Sequence, residues 1–397
     1  MTQPVFLLGA GASVDADIPD TYGMTKELIS RLDHPRARFR YGETDLSKIA
    51  HFVCGALIAY DTQRGTSSAF DSLDVERVFA AVELLAERRD LEVSPFVSSW
   101  VPAVDEFDRK PSVTDYRADR DLRKGIFSDR TFDSPSKVVR KIIQSEMGVG
   151  DGSAYRHLMG ELIIQLRKVI GSVPKSVGYL SPLVRLAGSP ESKLNIASLN
   201  YDLAIEGAAQ NAGIEAYTGI AKWAKNEKWA WGSNPLRLLK LHGSIDWVWD
   251  QGEVKPASIS KPTIAVSEDP VSEDRTPVLV FGARGKLTAR GPFLSLLAEF
   301  SKILASTRHL VVVGYSFRDD HVNEAIRNWL VGREDWKLTI IDPGFPEDLS
   351  SGWRNGNFTF SDELIRSFRI GHDKSDPRIE IVRKPASTGI ADVASRL

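Results

Sequence analysis

One cysteine, Cys54, in 397 residues rules out an internal disulfide framework and any multi-cysteine zinc module. A dominant charge is missing too. The 51 Lys and Arg stand against 53 Asp and Glu, a formal net charge of −2, so no global field draws the chain to nucleic acid or to an anionic membrane. Long hydrophobic runs are also absent: the longest aliphatic stretch, around Leu310–Val313, has the length of a strand and is far too short to span a bilayer. The opening MTQPVFLLGAGAS has no positive n-region and turns to glycine after a few apolar residues, which predicts a cytoplasmic chain. Internal repeats and low-complexity tracts are likewise lacking. Cys54 sits among Val53, Ala56, Leu57 and Ile58, surroundings that suit a buried thiol rather than a nucleophile.

What is present is ordinary globular composition, 42% hydrophobic and 26% charged, in a chain long enough to bury a large core. Val5–Leu8 is a short apolar run ending in a Gly-rich turn. Helical spacing covers 21–32, 46–60 and 74–87, the last with Val75, Val78, Phe79, Val82 and Leu85 on one face. Residues 88–140 mix charges of both signs without a sustained period, as a lid or an assembly surface would. Helical spacing returns at 154–170 and 177–186.

In the second half, apolar runs at 194–198, 236–241, 278–281, 310–313 and 338–341 read as strands, with helices from Asp202, at 293–306 and at 321–330. The Ser-, Pro- and Glu-rich stretch 250–276 reads as a surface loop, and Ile379–Val382 as an edge strand. Alternation of this kind predicts an α/β fold, a Rossmann-like parallel sheet with helices on both faces. The expected organisation is a single domain over 1–397, with a mainly helical insertion at about 40–190 and a C-terminal extension at about 345–397.

Four strand ends carry candidate chemistry. Gly9-Ala10-Gly11-Ala12-Ser13 follows the first strand, where glycines let backbone N–H groups approach a pyrophosphate. The third glycine of a dinucleotide fingerprint is replaced by Val14, and the stiff Ile18-Pro19-Asp20 comes soon after. Asn200-Tyr201-Asp202 ends another strand; its polar side chains suit either a ligand or the cap of the following helix. His242-Gly243 ends a third, and an imidazole there can take a proton near neutral pH or serve a purely structural role. Gly314-Tyr315-Ser316 ends a fourth and is followed by Asp319 and Asp320, which suit a helix cap. Asp342 closes the next strand, either as a ribose acceptor or as part of an Asp-Pro-Gly turn.

The order GAGAS, IPD, LNYD, KLHGS, VVVGYSF and a strand ending in Asp resembles the motif order of the sirtuin superfamily. It is most similar to the sirtuin-like NAD-hydrolase domains of bacterial antiphage defence systems. The resemblance covers most of 1–345 and implies NAD as the substrate. It implies Asn200 and His242 as catalytic residues, with His242 as general base. It also implies a cofactor-binding set of Ala10, Gly11, Ser13, Asp20, Asp202, Gly314, Ser316 and Asp342. Defence relatives suggest a homo-oligomer, with a HerA-like ATPase as a candidate partner. Two departures matter: the chain lacks the four zinc cysteines of protein-deacylating sirtuins, and Leu199 stands where those enzymes place Gln. Both favour plain NAD cleavage without a metal, by hydrolysis or cyclisation, over deacylation. A non-catalytic NAD or ADP-ribose sensor uses the same pocket but needs no base. A conventional Rossmann dehydrogenase fits poorly with Val14.

Overall fold

The computed structural model describes residues 3–34, 39–41, 44–63, 73–88, 91, 102–107, 152–188, 193–250, 263–281, 291–332, 334–349, 359–371 and 376–397. The chain divides into two compact units, residues 22–165 and the remainder, 1–21 with 166–397.

Strand β1 (Val5–Leu8) belongs to the larger unit. The unit 22–165 holds the two-residue strands β2 (Arg40–Tyr41) and β3 (Thr44–Asp45) and the helices Thr21–Asp33, Leu46–Gln63, Val75–Glu87 and Ser153–Ile170, the first and last running across its boundaries. Helix Val75–Glu87 begins where Asp74 accepts from the Glu76 amide, and it buries the expected Val75, Val78, Phe79 and Val82. Cys54 is buried on helix Leu46–Gln63, and burial pushes its thiol up to about 12, so the expected inert thiol is found. Of the stretch 88–140, Arg88, Leu91 and residues 102–107 are described, including a short helix Pro102–Glu106. The rest lies outside the described residues.

The larger unit is built on a seven-stranded, wholly parallel sheet. Its strands are β1, β4 (Leu194–Ser198), β5 (Ala216–Tyr217), β6 (Leu236–Lys240), β10 (His309–Val313), β11 (Lys337–Ile341) and β12 (Ile379–Val382), in the order β12-β11-β10-β1-β4-β6-β5. Near-continuous apolar runs are what a sheet covered on both faces requires. Alternate residues supply the two faces: Val5, Leu7, Leu310, Val312 and Leu239 enter one buried cluster, while Phe6, Leu8, Val311, Val313 and Leu238 enter the other. Helices Phe293–Ser306 and Asp320–Gly332 cover the first face, and Ala204–Asn211 and Ala386–Ala394 the second. The expected Rossmann-like α/β fold and the edge strand β12 are both observed. Connections run to opposite sides of β1, so the topological switch point, where such sheets bind ligands, lies at the C-terminal ends of β10, β1 and β4.

The structure corrects two expectations. The apolar run 278–281 is not part of the parallel sheet. Its strand, β9 (Pro277–Leu279), pairs antiparallel with β7 (Gly243–Asp250), which also pairs with β8 (Thr263–Val266). A short apolar run specifies burial but neither direction nor partner, and the alternating Ile245, Trp247 and Trp249 of β7 supply the partner. Strand β8, Thr-Ile-Ala-Val, likewise falls inside the stretch read as a surface loop; the Ser, Pro and Glu residues around it dominate the composition of that stretch. Among the described residues no helix is long and apolar enough to cross a membrane.

Candidate active site

At the end of β1 the chain makes two short 3₁₀ turns, Ala10–Ala12 and Val14–Ala16. The loop is interlocked with the one after β10. The Gly11 amide donates to the Gly314 carbonyl at 2.9 Å. A Cβ on Gly314 would stand 2.4 Å from the Ala12 nitrogen, and one on Gly9 2.6 Å from the Gly314 oxygen. Gly314 also holds φ at +57°, the left-handed region that glycine enters without steric cost. These glycines are therefore required by backbone-to-backbone packing. Gly243 is similar: a Cβ there would lie 2.0 Å from the Val278 carbonyl oxygen, so it is β9 that demands the missing side chain.

The register of β4 on β6 pairs Ser198 with Lys240, and the Leu241 amide continues the ladder to the Ser198 carbonyl at 2.8 Å. Asn200 and His242 each stand two residues beyond this last pair, on the segments that leave adjacent parallel strands, and neighbouring strands run about 4.8 Å apart. Asn200 is 9% exposed and His242 4%. The Asn200 amide nitrogen donates to the Gly9 carbonyl and to Ser13 Oγ, each at 2.9 Å. A carbonyl can only accept, so the amide orientation is settled and both its hydrogens are spent. Oδ1 is then the acceptor of the side chain. Ser13, 4% exposed, thereby joins the glycine loop to the Asn-Tyr-Asp turn.

His242 Nε2 lies 2.6 Å from Asp319 Oδ2, both side chains being about 5% exposed or less. The Tyr201 ring stands 6.4 Å from the imidazole, centroid to centroid, and its hydroxyl donates to the Val280 carbonyl. The Val280 amide in turn donates to the His242 carbonyl at 3.1 Å. Asp202 Oδ1 accepts from the Ala204 amide at 2.9 Å, at the start of helix Ala204–Asn211.

Beneath the turn lies a charged group to which sequence reasoning gave no role. Lys240, 1% exposed, donates to the Asp202 carbonyl and stands 3.3 Å from Glu206 Oε1. A buried ammonium needs such partners. Burial pushes the Glu206 carboxyl up to about 7 against the pull of Lys240, and burial also raises Asp246, opposed by Ser244 and Lys240. A pocket here is lined by Ser13, Ser198, Asn200, Asp202, Glu206 and Lys240, among others. The available signal was a lysine closing a mostly apolar strand, two residues before His242.

The remaining candidates lie on the segments that follow β1, β10 and β11. Ala10 and Gly11 are half-buried, while Asp20 and Ser316 are exposed. Asp342 is half-buried after β11; its Oδ1 accepts from the Gly344 amide at 2.8 Å, and burial raises its carboxyl. Tyr179, donating to the Ala12 carbonyl at 2.6 Å, braces the glycine loop from the second face. Among the described residues no cluster of three His, Cys, Asp or Glu is arranged to hold a metal ion.

Comparison with known proteins gives one family match. Residues 195–360 match the model of the SIR2-like domain. The match takes in Asn200, Asp202, His242, Gly314, Ser316 and Asp342 but begins after the glycine loop. No curated protein matches the chain. Similar solved structures include a Sir2 homologue in complex with NAD, at TM-score 0.36 and 13% identity over 99% of this chain and 88% of that one. Another is a Sir2 homologue mutant bound to 2'-O-acetyl ADP-ribose, at TM-score 0.36 and 11% identity over 99% and 90%.

Proposed function

We propose that this chain hydrolyses NAD at its N-glycosidic bond, releasing nicotinamide and ADP-ribose. The bond from ribose C1' to the pyridine nitrogen breaks with both electrons going to nitrogen, so nicotinamide leaves neutral and an oxocarbenium-like centre forms. A water oxygen attacks that carbon, and its proton passes to His242 and then to solvent. The leaving group is already cationic, so bond breaking needs orientation more than it needs an acid. Asn200 orients the water through Oδ1. Ala10, Gly11 and Ser13 take the pyrophosphate and Asp202 the carboxamide, with Gly314, Ser316 and Asp342 on the adenosine side and Asp20 at the loop over the site.

The observation that carries this reading is that Asn200 and His242 follow the ends of two directly paired strands, β4 and β6, while Asn200 also grips the glycine loop. The motif order and the SIR2-like match over 195–360 support it. The physiological role we assign is antiphage defence in the cytoplasm by NAD depletion, as a homo-oligomer with a HerA-like ATPase as candidate partner. Nicotinamide release from NAD by the purified protein tests the chemistry. His242→Ala should lower the rate on the order of 10²–10⁴-fold, the usual span for a general base. Tight binding with no turnover points to a sensor instead. Phage challenge of cells carrying wild type or His242→Ala tests the role, and equal protection by both contradicts it.

A further inference from the structure

We infer that Asp319 is the positioning residue for His242, fixing which imidazole nitrogen carries the proton; the inference rests on the reading of His242 as a base. Between β10, which Asp319 follows, and β6, which His242 follows, lie β1 and β4. Three strand spacings amount to about 14 Å, so the loop 314–319 must reach across the switch point to make the 2.6 Å contact. It is held in that course at some cost. Buried Phe317 takes φ of +56°, a conformation that persists only where the surroundings over-determine it. Here Asn323 Nδ2 donates to the Phe317 carbonyl at 2.8 Å, and Tyr315 Oη accepts from the Asp319 amide while donating to Asn323 Oδ1.

The carboxylate divides its work between two oxygens. Oδ1 accepts from the amides of His321 and Val322, 3.0 and 3.3 Å away, at the start of helix Asp320–Gly332. Oδ2 faces His242 Nε2. An ionised carboxylate can only accept, so Nε2 carries the hydrogen and the lone pair is assigned to Nδ1. Nδ1 is then the basic nitrogen. The helix-cap reading of Asp319 accounts for one oxygen and leaves the other to the imidazole.

Asp319→Asn separates the two tasks. Asparagine has one acceptor oxygen; kept on the helix amides, it turns Nδ2–H₂ toward His242 and forces the lone pair onto Nε2. The helix start survives while the tautomer inverts. ¹⁵N spectra of histidine-labelled protein at mildly alkaline pH, with His242→Gln to assign the signal, read this directly. The expected result is an Nε2-protonated ring in the wild type and an Nδ1-protonated ring in Asp319→Asn. In the NAD assay kcat should fall about 10²-fold or more with KM within about threefold, as wrong-tautomer variants of catalytic histidines behave. An Nδ1-protonated ring in the wild type overturns the inference, as does an unchanged ring or an unchanged kcat in the variant. Should Asp319→Asn not fold, the wild-type spectrum alone decides. Should the wild type release no nicotinamide, the hydrolase reading falls and the ¹⁵N pattern still judges the positioning.

Discussion

The Asn200 side chain donates one hydrogen to the Gly9 carbonyl and the other to Ser13 Oγ, each at 2.9 Å, so the residue read as catalytic also fastens the glycine loop. Asn200→Asp removes both donors and sets a carboxylate against a carbonyl. We expect it to destabilise by about 1–3 kcal/mol, the cost of unsatisfied buried groups. Ser13→Ala, which removes a single acceptor, should cost about 1 kcal/mol. Urea unfolding of the two variants checks the ranking, and equal midpoints contradict it.

The loops after β1 and β10 meet backbone to backbone at Gly314. Gly314→Ala meets the Ala12 nitrogen at 2.4 Å on top of a positive φ, whereas Gly213, at φ +69°, has nothing within 4 Å of its would-be Cβ. Gly213→Ala should therefore cost about 1 kcal/mol for the left-handed backbone alone. Gly314→Ala should cost clearly more and abolish NAD cleavage. Thermal melts and nicotinamide release compare them.

Glu206 couples the pocket to pH. Its carboxyl stands at about 7 in the folded chain against 4.5 ordinarily, chiefly through burial. A raised folded value favours the folded state below pH 4.5, and the advantage is lost as pH rises through 7. The full swing is bounded at about 3 kcal/mol. Glu206→Gln stays neutral and leaves Lys240 its Asp202 carbonyl. Measured by urea midpoint, the wild type should lose stability relative to Glu206→Gln between pH 5 and 8; parallel pH profiles for the two proteins contradict this.

Cys54, 1% exposed with its thiol pushed up to about 12, should resist a thiol reagent in the native protein and react fully once unfolded in denaturant. Rapid native labelling contradicts the burial.

The parallel sheet was legible because both its faces are buried, so that Val5–Leu8 and Leu310–Val313 stand out as apolar runs. Strand ends were legible because glycines and polar residues punctuate them. Pairing was not. Nothing local shows that Val278 joins β7 antiparallel, or that Pro277–Leu279 forces Gly243. The tail helices did leave signals, including a reciprocal cap between Thr359 and Asp362, which composition alone obscured. Asn200 and His242 were readable as candidates from their strand-end positions. Lys240 and Asp319 were not, because their partners Glu206 and His242 come from other elements. The second oxygen of Asp319 is a tertiary fact: a helix cap and a histidine partner look the same in one dimension.

A structure of the protein with bound ADP-ribose tests the central claim most directly. The account predicts the pyrophosphate against Ala10–Ser13 and the distal ribose at the edge shared by Asn200 and His242. Nucleotide bound elsewhere, or lying on the glycine loop with its distal ribose away from both residues, would contradict it.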